Sequence, residues 1–374
     1  MQATPAFVAA ALPAVRGLMP YEPGKPIEEL ERELGITDII KLASNESPLG
    51  PAPGVRRVLA AEMERLALYP DGSGHVLKRA LAAHLDVPPA AITLGNGSND
   101  LLNLVAQAFL APGRNAVMSA HAFAIYGLAS RAVGAEVRVA PALPADAPQP
   151  YGHDLTAMAG RIDGDTAVVF IANPNNPTGT WIDADALEAF LAKVPDRVIV
   201  VLDEAYFEYV EAPGYPDGCR LLARYPNLLV TRTFSKAYGL AALRVGYGVS
   251  HPALADLLNR LRQPFNVSSL GLAAAQAALA DAGHLARAVA VNRAGLAQLG
   301  AGLDALGLDH IPSVGNFITF RVPDAEKMNQ ALLHAGIIVR PVAGYGLPQA
   351  LRVSVGLPEH NARFLETLGR LLRP

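Results

Sequence analysis

Cysteine is nearly absent: Cys219 is the only one in 374 residues. A disulfide within the chain is thereby excluded, and so is a cysteine-rich zinc site. The nine histidines show no metal-ligand spacing, and no His-Glu-x-x-His occurs. Long apolar runs are lacking as well. The stretch 6–18 is apolar, but Pro13 interrupts it and no basic residue precedes it. It reads as an N-terminal arm with a helical piece, not a signal peptide. No run approaches the roughly 18 apolar residues of a membrane helix. Neither charge is in excess: 31 Lys and Arg face 34 Asp and Glu, a formal charge of −3. That balance argues against a dedicated nucleic-acid binder, which carries a basic surplus.

What is present is apolar and folded in character, with 51% hydrophobic and 17% charged residues. At roughly 150 residues per domain the length suits two domains, or one large domain with a satellite. The expected class is a cytoplasmic α/β enzyme. From residue 91 to about 250, short Val/Ile/Leu-rich runs alternate with helical stretches. The strand candidates are 91–94, 116–119, 136–139, 167–171, 198–202, 228–231 and 245–249. Continuous apolar runs of this length fit strands buried on both faces. Helices read over 99–110, 123–133 and 183–193, with Pro112-Gly113 and Gly134 as stops. The alternation predicts a large α/β domain with a mostly parallel seven-stranded sheet flanked by helices. After residue 250 the pattern changes to Ala/Leu-rich helices over 252–262 and 269–306. Strands near 316–321, 337–340 and 351–355 and helices near 325–335 and from Pro358 then complete a smaller α+β domain. The expected division is an arm of residues 1–44 packing with the small domain, a large domain of 45–265, and a small domain of 266–374. Residues 1–44 show no sheet of their own.

Four segments carry chemistry. In the run Thr231-Arg232-Thr233-Phe234-Ser235-Lys236, a lysine follows a buried strand among hydroxyls, and Arg244 comes eight residues later. Alone, Lys236 is an exposed loop lysine; in a desolvated site it is an amine that attacks carbonyls. Thr233, Ser235 and Arg244 offer donors to a phosphate. In Asp203-Glu204-Ala205-Tyr206, Asp203 ends an apolar strand, where open α/β sheets bind their ligands. It is either a helix N-cap or a carboxylate for a protonated ring nitrogen, with Tyr206 in reach of the same ligand. Asn173-Pro174-Asn175-Asn176-Pro177-Thr178-Gly179 is a turn, or a turn that positions an amide. Gly95-Asn96-Gly97-Ser98-Asn99-Asp100 links strand to helix and offers helix N-terminal N–H groups. It is not the dinucleotide fingerprint, because Asp100 stands where the third glycine belongs. Together the four ask for an aldehyde, a pyridine nitrogen, a ring hydroxyl and one phosphate, the set that pyridoxal 5'-phosphate presents.

In these residues the chain resembles the fold-type I pyridoxal-phosphate aminotransferases, and among them the histidinol-phosphate aminotransferases. The matching pieces are Leu42-Ala43-Ser44-Asn45-Glu46-Ser47-Pro48, Tyr69-Pro70-Asp71-Gly72, the Asn-Pro loop, Asp203-Glu204-Ala205-Tyr206, Phe234-Ser235-Lys236 and Leu351-Arg352-Val353-Ser354-Val355-Gly356. They run in family order from residue 42 to 356. The resemblance implies Lys236 as the covalent anchor and proton carrier, and Asp203 as the partner of the pyridine nitrogen. It implies Asn176 and Tyr206 on the ring hydroxyl and Phe123 stacked on the ring. Ser98, Asn99, Thr233, Ser235 and Arg244 would form the phosphate cup. Tyr69 would reach the partner subunit's cofactor, which implies a homodimer with shared sites. Tyr21, Asn45, Arg340 and Arg352 would face the substrate, glutamate or histidinol phosphate, in histidine biosynthesis. No metal, nucleic acid or membrane enters this reading.

Two stretches depart from the commonest pattern. His121-Ala122-Phe123 stands where many members have Pro-Thr-Tyr, and the stacking aromatic survives as Phe123. The segment 341–348 is Gly/Pro-rich and adds Tyr345 between the two substrate-side arginines. That composition also suits an aromatic amino-acid aminotransferase acting on phenylalanine or tyrosine, the alternative reading.

Overall fold

The computed structural model describes residues 6–21 and 23–373. The first strand, β1 (Ile40–Lys41), precedes the main sheet. That sheet comprises β2 (Ile92–Asn96), β3 (Asn115–Ser119), β4 (Glu136–Ala140), β5 (Thr166–Ala172), β6 (Ile199–Asp203), β7 (Leu228–Thr233) and β8 (Val245–Ser250). Its strand order is β2-β8-β7-β6-β5-β3-β4. The pairs among β3 to β7 are parallel, while β8 runs antiparallel to both β7 and β2. The seven expected strands all form, within a residue or two of their expected ends.

Period two decides which face each side chain covers. Val169, Ile171, Val200, Leu202, Leu228 and Val230 join one core, and Val168, Phe170, Ile199, Val201 and Leu229 join the other. The first core is closed by Leu77 and Leu81 of the helix His75–Leu85 and by Leu187 and Phe190 of Ala184–Leu191. The second is closed by Leu101 and Val105 of Ser98–Phe109 and by Leu254 and Leu258 of Pro252–Leu261. Burial of each such side chain contributes about 1.5–3 kcal/mol. Both faces being covered explains why these strands read as unbroken apolar runs.

The C-terminal part builds a three-stranded antiparallel sheet from β9 (Phe317–Arg321), β11 (Arg340–Pro341) and β12 (Ala350–Ser354), in the order β11-β12-β9. Strand β10 (Ile337–Ile338) pairs instead with β1, in parallel. Two expectations are thereby corrected. The stretch 337–340 is not one strand but two, serving different sheets. Residues 1–44 do contribute a strand. Its two residues are too short to leave a periodic signal. The Ala/Leu-rich stretch 269–306 is likewise two helices, Ser269–Leu279 and Ala282–Ala305. Asp281 divides them, its carboxylate capping the second by accepting from the N–H of His284 at 2.8 Å. The helices Ile27–Leu34, Pro53–Met63 and His75–Leu85 lie outside the elements expected from sequence.

Candidate active site

The C-terminal ends of β5, β6 and β7 and the start of Ser98–Phe109 surround a cavity of about 300 Å³. Ser98, Asn99, Phe123, Asn176, Asp203, Tyr206, Thr233, Ser235, Lys236 and Arg244 line it, as do Tyr21, Asn45, Arg340 and Arg352. Of the residues singled out from sequence, Tyr69 alone lies elsewhere. It is 84% exposed and stacked on Phe265, with ring centroids 4.8 Å apart.

Lys236 follows β7 and turns its amine inward, where Nζ donates to the Ser44 carbonyl at 2.9 Å. Burial, then the Arg352 charge, pull this amine down to about 7. It is therefore an available nucleophile near neutrality, and not an exposed loop lysine. Asp203 ends β6 and caps no helix. Its Oδ2 accepts from the Tyr126 hydroxyl at 2.8 Å and its Oδ1 from Thr231 at 2.9 Å. Burial raises its pKa while those two donors oppose the rise. A cationic group in the cavity would keep it charged. Tyr206 accepts from the Asn45 amide at 2.8 Å. Burial pushes its hydroxyl up to about 12, so it remains a donor.

The Asn-Pro loop divides its amides between structure and site. Asn173 is spent on Ile182, donating to its carbonyl at 3.0 Å and accepting from its N–H at 2.9 Å. Asn175 donates to the His121 carbonyl at 3.1 Å and to Thr178 at 2.8 Å. Asn176 is left facing the cavity, where its Oδ1 accepts from Arg352 Nη1. Arg352 also donates to the Ala43 carbonyl at 2.7 Å and is 5% exposed. Arg340 pairs with it across the β11–β12 register.

Opposite, Arg244 donates to Ser235 Oγ at 3.1 Å. Its approach depends on glycine: a Cβ on Gly97, at φ 76°, would sit 2.4 Å from Arg244 Nη2. A Cβ on Gly246 would meet the Ser98 N–H nitrogen at 2.2 Å. The result is a cup of hydroxyls, a guanidinium and a helix N-terminus, chemically suited to a phosphate. Asn99 Oδ1 is buried there without a partner. Sequence reasoning missed Tyr126 and Ser44, and it did not assign Thr231 to Asp203. Tyr126 stands three residues after Phe123, one helical turn along the same face, which was the available signal.

The chain matches the family described as aminotransferase class I and II over residues 37–368. It belongs to that family. It is 60% identical to histidinol-phosphate aminotransferase 2 of Pseudomonas aeruginosa over 98% of each chain. It is 56% identical to the protein of the same name from Methylococcus capsulatus, over 97% of this chain and 98% of that one. Among solved structures it resembles histidinol-phosphate aminotransferase from Sinorhizobium meliloti in complex with pyridoxal-5'-phosphate. The TM-score is 0.87 and the identity 30%, over 96% of this chain and 97% of that one. No helix among the described residues of this aminotransferase is long and apolar enough to cross a membrane.

Proposed function

We propose that this aminotransferase transfers the amine of glutamate to imidazole-acetol phosphate, giving 2-oxoglutarate and histidinol phosphate, or runs the reverse. The reaction serves histidine biosynthesis in the cytoplasm. The cofactor is pyridoxal 5'-phosphate. The observation that carries this reading is the buried, near-neutral Lys236 amine in one cavity with the Asp203 carboxylate and the Arg340–Arg352 pair. The names of the relatives favour the phosphorylated substrate over an aromatic amino acid.

Bound in this cavity, pyridoxal phosphate supplies a carbonyl for amines and an electron sink for the carbanion at the substrate's Cα. Lys236 would anchor it, and its Nζ would carry the proton from and back to the substrate's Cα. Asp203, oriented by Tyr126 and Thr231, would keep the ring nitrogen protonated. Tyr206 and Asn176 would hold the ring hydroxyl, and Phe123 would offer an aromatic face to the ring. Ser98, Asn99, Thr233, Ser235 and Arg244 would hold the phosphate. Arg352 takes the glutamate carboxylate, and Arg340 with Arg352 takes the phosphate of histidinol phosphate. Tyr21 and Asn45 complete the substrate's surroundings. The exposed ring of Tyr69 and the exposed Leu66, Leu68 and Phe265 support a homodimer in which Tyr69 completes the partner's site. Residues 27–43 pack on the C-terminal part through Leu30, Ile40 and β1, which supports a domain division near residue 44.

The test is an absorption spectrum of the purified, cofactor-loaded protein, with histidinol phosphate or phenylalanine added separately. Histidinol phosphate should collapse the visible band of the bound cofactor far more readily. Stronger conversion by phenylalanine would overturn the substrate assignment, and failure to form any band would overturn the role of Lys236.

A further inference from the structure

Beside the deep cavity lies a second, outer cleft of about 730 Å³, and Tyr21 and Arg340 line both. Arg352 lies inside, whereas the outer cleft adds His121 and Tyr345. The two substrates of the proposed reaction differ in length. Glutamate would set one carboxylate on Arg352, and the rest of it beyond Cα is only two methylenes and a second carboxylate. A phosphate ester carrying an imidazole ring must extend further, toward Arg340 and the outer wall.

That wall is met by one imidazole from the neighbouring loop. Tyr345 sits on the turn Ala343–Tyr345, between β11, which bears Arg340, and β12, which bears Arg352. Its hydroxyl faces the Tyr21 side chain and the charges of both arginines. The Arg340 guanidinium lies over the Tyr21 ring, 5.6 Å from its centroid. The Tyr21 ring in turn meets Phe123 edge-on at 6.4 Å. His121 faces this turn from the loop after β3. Its Nδ1 is 2.6 Å from the Tyr345 carbonyl. A carbonyl only accepts, so Nδ1 carries the proton. The backbone of His121 is in the left-handed region, at φ 56°, an uncommon state for a side-chain-bearing residue. Its carbonyl is gripped by Asn175, and its ring abuts Tyr151 edge-on at 5.5 Å. On the other side, a Cβ at Gly346 would press within 3.3 Å of the imidazole, and Gly346 has φ 78°. Imidazole and turn therefore fit each other closely, and His121 is two residues from the aromatic over the ring site.

We propose that His121 is a specificity-determining positioning residue: by donating to the Tyr345 carbonyl it fixes the Tyr345–Tyr21–Arg340 wall, which the long phosphorylated substrate requires and glutamate does not. This inference rests on the substrate reading given above. His121 touches neither reacting atoms nor cofactor; it acts through the turn.

The experiment measures dissociation constants by calorimetry on the cofactor-loaded protein. The ligands are two that lack an amine and cannot react, imidazolyl-propyl phosphate for the long substrate and glutarate for the short one. In His121→Ala the phosphate ester should weaken by about tenfold, the worth of one well-made hydrogen bond, with glutarate within about twofold. His121→Asn tolerates the left-handed backbone and keeps a donor, so it should recover part of the loss. The KM values of the two half-reactions should split in the same way, with kcat for glutamate unchanged. Equal weakening of both ligands in both variants would reduce His121 to a structural residue, and no weakening of either would remove the role altogether. If the wild-type protein itself binds glutarate but not the phosphate ester, the substrate reading fails, and this inference with it. That outcome is visible before any variant is made.

Discussion

At the scale of single residues, the chemistry turns on how burial and neighbours set two groups. The Lys236 amine is held near 7, below its ordinary value of 10.5, by burial first and Arg352 second. Above that value the amine is neutral and nucleophilic; below it, the neutral fraction falls about tenfold per pH unit. The rate of cofactor loading into the apoprotein, followed by absorbance, should therefore rise with pH and level off above about 7. Arg352→Ala removes a repelling charge, so the midpoint should move upward. A pH-independent loading rate would contradict the assignment. Asp203 is the second group. Tyr126→Phe deletes one of its two hydroxyl donors, a hydrogen bond to a charged acceptor worth about 1.5–3 kcal/mol. Turnover should fall by about tenfold or more, and Asp203→Ala should fall at least about a hundredfold. Near-normal kcat in Asp203→Ala would remove its role. That Lys236, Asp203, Ser98, Thr233 and Ser235 meet in one cavity was legible in sequence, because each lies at or just past the end of a buried strand or opens the helix after one. Tyr126 was not, because its meeting with Asp203 is made by packing β5 and β6 against a helix 77 positions away in sequence.

At the scale of elements, the strand ends must be held still while a polar site is carved into them. The adjacent residues Asp203 and Glu204 have divided tasks. Glu204 is fully buried behind the site, where Oε2 accepts from Arg232 Nε at 2.9 Å and Oε1 from the Gly218 N–H at 2.9 Å. Arg232 is 3% exposed, reaches Asp217 at 2.6 Å and lies over the Phe207 ring at 3.4 Å. Burial pushes Glu204 up to about 7, and the arginine charge pulls it back. This pair joins the end of β6 to β7, the strand that presents Lys236. Arg232→Ala strands a buried carboxylate and should cost about 3–5 kcal/mol, read as a lowered denaturant midpoint. The double variant Arg232→Met with Glu204→Gln should recover part of that loss, since the uncompensated charge is gone. Equal midpoints for the single and double variants would show that the charge is not the cause. Strands buried on both faces were readable from their composition. The split of 337–340 between two sheets was not, because two-residue strands are chosen by their partners, β1 and β12, rather than by their own pattern.

At the scale of the whole molecule, one residue drawn from the sequence stands apart from the cavity, and its place bears on assembly. Tyr69 is 84% exposed and lies beside Phe265, which is 43% exposed, with Leu66 at 56% and Leu68 at 62% close by in sequence. A cluster of exposed large apolar side chains on one surface is costly unless a partner covers it. In a two-fold dimer the same patch meets itself, so a residue useless to its own cavity can serve the other. Subunit mixing tests this directly. Tyr69→Ala and Lys236→Ala should each be nearly inactive alone. In a mixed dimer, one site then receives a good Lys236 from the first subunit and a good Tyr69 from the second. The other site receives both defects. Random mixing makes about half of the dimers mixed, each with one working site, so activity should return to about a quarter of wild type. If Tyr69 served its own subunit, each mixed dimer would hold one site lacking Tyr69 and one lacking Lys236, and mixing would restore nothing. Activity that stays at the sum of the two separate variants, with mixed dimers demonstrated by mass, would place Tyr69 outside the shared site.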